Sequence, residues 1–80
     1  MSLRAALHQC FEDEPSRVFA VRDLYEGIEK YYELTFFQRQ PDPQYGGARY
    51  KHEVRSELAK MTGRGTIHHI GRDQYRRASN

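Results

Sequence analysis

Tyr45 to Arg77, YGGARYKHEVRSELAKMTGRGTIHHIGRDQYRR, decides how the chain folds, because a basic helical pattern there runs straight into a two-strand pattern. Tyr50, Val54, Leu58 and Met61 recur at spacings of four, four and three, which lays one apolar stripe along a helix of about residues 47–61. Arg49, His52 and Ser56 fall on the opposite face. Gly63 and Gly65 are expected to stop the helix, and Thr66–Ile70 and Gln74–Arg77 then flank Gly71, Arg72 and Asp73 in the pattern of a β-hairpin. A helix followed at once by a basic hairpin is a shape suited to docking on a duplex.

Upstream residues read as support for that unit. Leu3, Ala6, Leu7, Cys10 and Phe11 follow helical spacing behind a Ser2 N-cap, predicting a first helix over about residues 3–13 that ends before Pro15. Glu12, Asp13 and Glu14 sit where the helix dipole disfavours negative charge, so they are expected in a solvated turn. Arg17–Ala20 suits a brief extended segment that plugs the core with Val18 or Phe19. Val21, Leu24, Tyr25, Ile28 and Tyr31 or Tyr32 predict a second helix over about residues 21–32, with Asp23 near its start. Gly27 inside that helix points to the close approach of another backbone, that of a neighbouring helix. Tyr31, Tyr32, Phe36 and Phe37 are assigned to the core or an interface rather than to base stacking, and Gln38–Pro41 is too polar to be core. Glu33 to Gly46, with Pro41, Pro43 and Gly46, is a long connection that invites a functional explanation: contact with the DNA backbone through Arg39, or packing of Phe36 and Phe37 on a partner.

Eighty residues at 38% hydrophobic content allow one small domain, residues 1–80, and leave little room for a multi-step active site. No apolar run reaches membrane-spanning length and no leader pattern is present, so a cytoplasmic location is expected. The single cysteine, Cys10, falls on the apolar side of the first helix and reads as a small buried hydrophobe. Charge is divided unevenly: residues 1–38 hold four Lys/Arg against seven Asp/Glu, and residues 39–80 hold nine against four. An anionic partner for the basic half is one explanation, and a solubilising charged face is the other.

Catalytic and metal chemistry find little support. The chain has no nucleophile–base spacing, phosphate loop or carboxylates paired on one face. His68 and His69 are adjacent on a strand and point to opposite faces, and His8, His52 and Cys10 do not complete a zinc set. No enzyme activity, cofactor, metal or small-molecule substrate is expected.

In chain order, helix, extended segment, helix, helix and hairpin resemble the winged helix-turn-helix family over essentially the whole chain. The resemblance is carried by Val21–Tyr25 (VRDLY), by Val54–Leu58 (VRSEL) and by Gly65–Arg76 (GTIHHIGRDQYR), the last similar to the wing of many members. It implies an α+β fold, a small winged helix in which a three-helix bundle carries a C-terminal β-hairpin wing. Two features depart from the pattern. The connection before the third helix is far longer than a tight helix-turn-helix allows, and Asp73 stands where many members have glycine, although Asp tolerates positive φ.

If the third helix enters a major groove, as the resemblance implies, Arg49, His52 and Ser56 approach base edges with Arg55 at the flank. Lys51 and Lys60 border the apolar stripe and suit phosphates, while Arg64, Arg72, Arg76 and Arg77 give the wing its own backbone or minor-groove contacts. Each of these residues has an alternative reading as a solvated charge or a surface ion pair. Double-stranded DNA is the expected partner, for a transcription regulator or for the DNA-binding part of a larger protein. The competing expectation is a winged-helix protein-interaction or homodimerisation module that uses Phe36, Phe37 and the tyrosines.

Overall fold

A computed structural model describes residues 1–78. In these residues four α-helices, one 3-10 turn and a three-stranded antiparallel sheet make an α+β fold. Helix α1 (Leu3–Asp13) starts where the Ser2 hydroxyl accepts the Ala5 N–H at 3.1 Å, and buries Leu3, Ala6, Leu7, Cys10 and Phe11. Its acidic end, Glu12 to Glu14, is exposed, as a solvated turn requires. Strand β1 (Phe19–Ala20) puts Phe19 in the core against Phe11, ring centroids 5.1 Å apart at 70°, and leaves Val18 outside.

Helix α2 (Val21–Gly27) is shorter than its apolar periodicity predicts and tightens into a 3-10 turn at Ile28–Lys30. Its first turn is closed by the Asp23 carboxylate, which accepts the Ala20 N–H at 2.9 Å. Gly27 is needed for space, but the neighbour is a side chain rather than a backbone: a Cβ there would lie 3.0 Å from the Cys10 sulfur of α1. Gly27→Val is therefore expected to lower stability by about 1–3 kcal/mol through overpacking. Adding Cys10→Ala should recover part of that loss, and a urea midpoint series on the two single variants and the double variant measures the coupling.

The connection predicted as an irregular loop is built. Helix α3 (Phe36–Arg39) is one turn held by a reciprocal cap, with the Gln38 backbone N–H donating to the Thr35 hydroxyl at 3.1 Å and the Thr35 N–H donating to the Gln38 side-chain Oε1 at 2.9 Å. That same Gln38 oxygen accepts the Tyr32 hydroxyl at 3.0 Å, and the Gln38 amide faces Glu53 at 3.4 Å. Gln38 is thus only 9% exposed, correcting the expectation that this stretch is too polar for the interior; with its oxygen satisfied, burial carries little penalty. Residues 40–49 close into a clasp. The Asp42 N–H donates to the Gly47 carbonyl at 2.7 Å, the Arg49 N–H to the Gln40 carbonyl at 2.9 Å, and the Asp42 carboxylate accepts the Gln44 and Tyr45 N–H groups.

Helix α4 (Arg49–Arg64) begins two residues later than predicted because Gly46 and Gly47 have φ of 72° and 67°, which no helix tolerates. Gly63 does not stop it. The stop is Gly65, at φ 79°, with the Thr66 N–H reaching back to the Met61 carbonyl at 3.1 Å. Val54, Leu58 and Met61 are buried as predicted, while Tyr50 packs at the margin of the core. Strands β2 (Ile67–Gly71) and β3 (Gln74–Arg77) form the hairpin, and Asp73 takes φ 56° in its turn. The sheet order is β1-β3-β2, with Phe19 opposite Tyr75 and His69 opposite Tyr75 on the other side.

Candidate nucleic-acid interface

The cationic residues singled out in the sequence do not share one surface. Three of them meet at the junction of α2, α4 and the hairpin turn. Arg55 donates to the Tyr25 hydroxyl at 3.1 Å and to the Asp73 carboxylate at 3.3 Å, so one guanidinium ties all three elements together. Burial alone works against its charge, but the Tyr25 oxygen and the Asp73 carboxylate outweigh this and hold its pKa above the ordinary value. The Lys51 ammonium sits 5.2 Å from the centre of the Tyr25 ring, and Arg72 is exposed beside Asp73 in the turn. The Val21 N–H donates to the Asp73 carbonyl at 3.0 Å, which latches the turn to the start of α2 and places exposed Arg22 at the border of the same surface.

Arg22 and Tyr25 are site residues that the sequence reading does not single out. The sequence signal for them is only that both lie in Val21–Tyr25, the opening of the second helix; its closeness to the turn appears only in the fold. Around Tyr25 an aromatic group supports the seam: Tyr50 stands edge-on to it at 5.8 Å, and on the hairpin Tyr75 stacks with His69 at 4.5 Å and 14°.

Seven of the residues named from the sequence lie elsewhere. Arg49 is folded under α3, its guanidinium 4.4 Å from the centre of the Phe37 ring, and its Nε is enclosed with no hydrogen-bond partner among the described residues. His52 is exposed, with one ring face stacked on Tyr45 at 4.1 Å and 10°. With Ser56 and Lys60, His52 rims a hollow of about 420 Å³ on the opposite flank of α4, where Glu53 and Glu57 also line the wall. Lys60 and Arg4 approach Glu57 there at 3.5 and 3.7 Å. A wall holding two carboxylates does not suit a phosphate. Arg64 closes the far end of α4, and Arg76 lies on the outer face of the sheet opposite His68. Arg77, on the other face, bonds Glu12 at 2.9 Å.

Comparison with protein-family models, curated proteins and solved structures finds no significant match. Among the described residues, no three of His, Cys, Asp and Glu come together as a metal-binding group, and no helix is long and apolar enough to cross a membrane.

Alkaline pH acts on the same framework. Burial, first among the influences, pushes the Cys10 thiol above its ordinary value of 9.0, and it raises the Tyr50 and Tyr75 phenols above 10.0. In each case the folded protein holds a proton that the unfolded chain releases more easily. The stabilisation is therefore complete below about pH 9 and declines as pH rises toward the folded values. Melting temperature is expected to stay level from pH 7 to about pH 9 and then fall, and Cys10→Ala should remove the earliest part of the fall. Thermal melts across that range are the check.

Proposed function

We propose that this domain is a winged-helix module that binds double-stranded DNA without catalysis. The helix order, the antiparallel β1-β3-β2 sheet and the hairpin after α4 support that fold. The single observation that carries the function is that Lys51 and Arg55 of α4 meet at Tyr25 of α2, while Arg55 also reaches Asp73 in the turn that carries exposed Arg72. Exposed surface ion pairs stabilise by only ~0–1 kcal/mol, so the fold gains little by collecting these cations in one place. Phosphates gain much more, because each neutralised phosphate releases counterions. In this reading Arg55 is held in position by Tyr25 and Asp73, Lys51 and Arg72 engage the backbone to either side, and α4 presents its Lys51–Arg55 flank to the groove. Binding through the flank replaces head-on insertion of Arg49 and His52, because Phe37 of α3 lies against the Arg49 guanidinium and Tyr45 of the clasp stacks on His52.

Fluorescence anisotropy with a mixed-sequence duplex over a salt series tests the reading. Affinity should fall linearly on a log–log plot with a slope of roughly −3, as three to four phosphate contacts require. No measurable binding at low salt would sink it. A second reading, a protein-interaction or dimerisation module, is favoured by one observation: Phe36 and Phe37 are 83% and 64% exposed. Sedimentation of the free protein distinguishes self-association from duplex binding.

A further inference from the structure

We propose that Asp73 is a built-in competitor for the phosphate that Arg55 engages: its carboxylate stands on the guanidinium where a phosphate oxygen binds, and gives way when a polyanion arrives. The inference rests on the duplex-binding reading for the identity of the ligand, and adds an autoinhibitory contact within that site.

The two partners of Arg55 hold it unequally. Its Nε–H donates to the Tyr25 hydroxyl at 3.1 Å, inside the ordinary range for such a bond, whereas its Nη1–H reaches the Asp73 Oδ1 at 3.3 Å. A fully made bond between a guanidinium and a carboxylate closes to about 2.7–2.9 Å. The hydroxyl is therefore the anchor, and the carboxylate is the partner that can be exchanged. Both charged side chains are open to water, Arg55 at 54% and Asp73 at 56% exposure, and a pair so exposed favours contact over separation by no more than about fivefold. A guanidinium grips a phosphate best with two parallel N–H groups, and Asp73 sits on one of its Nη donors. Phosphate and carboxylate also repel one another at that range.

The fold does not depend on the carboxylate. What secures the turn is main chain: the Asp73 carbonyl accepts the Val21 N–H at 3.0 Å, and Gln74 next to it pairs with both Ala20 and Gly71. Residue 73 has φ 56°, a conformation that asparagine adopts as readily as aspartate. The negative charge beside Arg72 thus adds little to stability, yet it opposes every phosphate that approaches Arg55. Such a competitor filters ligands by their length. An isolated phosphate must displace Asp73 for one contact, while a polyanion displaces it and gains Lys51 and Arg72 in the same event.

Asp73→Asn tests the contact by anisotropy with the blunt duplex near 0.1 M salt. The variant is expected to bind about 3- to 10-fold more tightly than the wild type. In an Arg55→Gln background the same replacement should gain less than about twofold, because the competition acts through Arg55. Glu57→Gln removes an equal charge on the opposite flank of α4 and should also gain less than about twofold. Asp73→Gly, which adopts positive φ freely, repeats the test with the side chain gone, and melting curves confirm that the variants fold. Equal or weaker binding by Asp73→Asn and Asp73→Gly would overturn the proposal and show the carboxylate to be a mere support for Arg55. A full gain without Arg55, or from Glu57→Gln, would overturn it too, since net charge alone would then account for the effect. A second arm uses no DNA: inorganic tripolyphosphate is titrated while the Arg55 Nε–H signal is followed by NMR. About 3- to 10-fold tighter tripolyphosphate binding by Asp73→Asn would support the competition even where the wild type binds no duplex and the duplex reading fails. An Arg55 signal that responds to tripolyphosphate in neither protein, together with no duplex binding, would sink both.

Discussion

Replacing Lys51, Arg55 and Arg72 together with glutamine is expected to weaken duplex binding by on the order of 100- to 1,000-fold near 0.1 M salt and to reduce the salt slope by about three. The size follows from counterion release: each phosphate contact removed lowers the slope by about one, and near 0.1 M salt that is close to a factor of ten. The fold should survive. Arg55 and Asp73 are both more than half exposed, so their ion pair contributes at most ~1 kcal/mol, and the Tyr25 hydroxyl can turn to water once the guanidinium has gone. Lys60→Gln is the matched control. It lies on the Glu53–Glu57 flank, pairs with Glu57, and should change affinity by less than about threefold. Anisotropy titrations at three salt concentrations measure both effects. A Lys60→Gln loss as large as that of the triple variant would move the interface to the other side of α4.

Phe11→Ala is expected to destabilise the domain by about 3–5 kcal/mol. Phe11 is the largest of the fully buried side chains, and it joins α1 to the sheet through its edge-to-face contact with Phe19. A chain of this length commands roughly 4–12 kcal/mol in total, so the variant should be partly or wholly unfolded at 37 °C. Chemical denaturation at 10–15 °C, followed by circular dichroism, would measure the loss. A change under about 1 kcal/mol would mean that α1 does not pack on the sheet as described.

What could be read from the sequence depended on whether the signal was local. Helix α1 was legible to the residue because its cap, its apolar spacing and its terminating Pro15 all lie within fifteen positions. The hairpin and the positive φ at Asp73 were legible for the same reason. The region from Glu33 to Ala48 was not. Gln38 is buried because its side chain caps its own short helix while also serving Tyr32, and no periodicity announces such a multiply bonded amide. By hydrophobicity alone Phe36 and Phe37 read as core or interface residues, with nothing to separate the two. They lie outside because Leu34 and Gln38 take the inward positions of that turn. The basic residues of α4 were correctly placed on a helix surface, yet helical phase says nothing about what covers that surface. Arg49 and His52 became occupied by Phe37 and Tyr45, while Arg55 found Tyr25 and Asp73 from two other elements.

The sheet order has a consequence for how the chain is made. The central strand is β3, the last of the three to be synthesised, and among the described residues both β1 and β2 pair only with it. Until Gln74–Arg77 emerges, β1 has no partner, Phe19 and Ile67 lack their sheet, and the latch from Asp73 to Val21 cannot close. Helices α1 and α4 can form as they are synthesised, but the basic seam cannot, since its turn and its latch are made together after α4. The seam is thus completed only after residues through Arg77 have been made, and a truncation after Arg72 should yield helical content without cooperative unfolding.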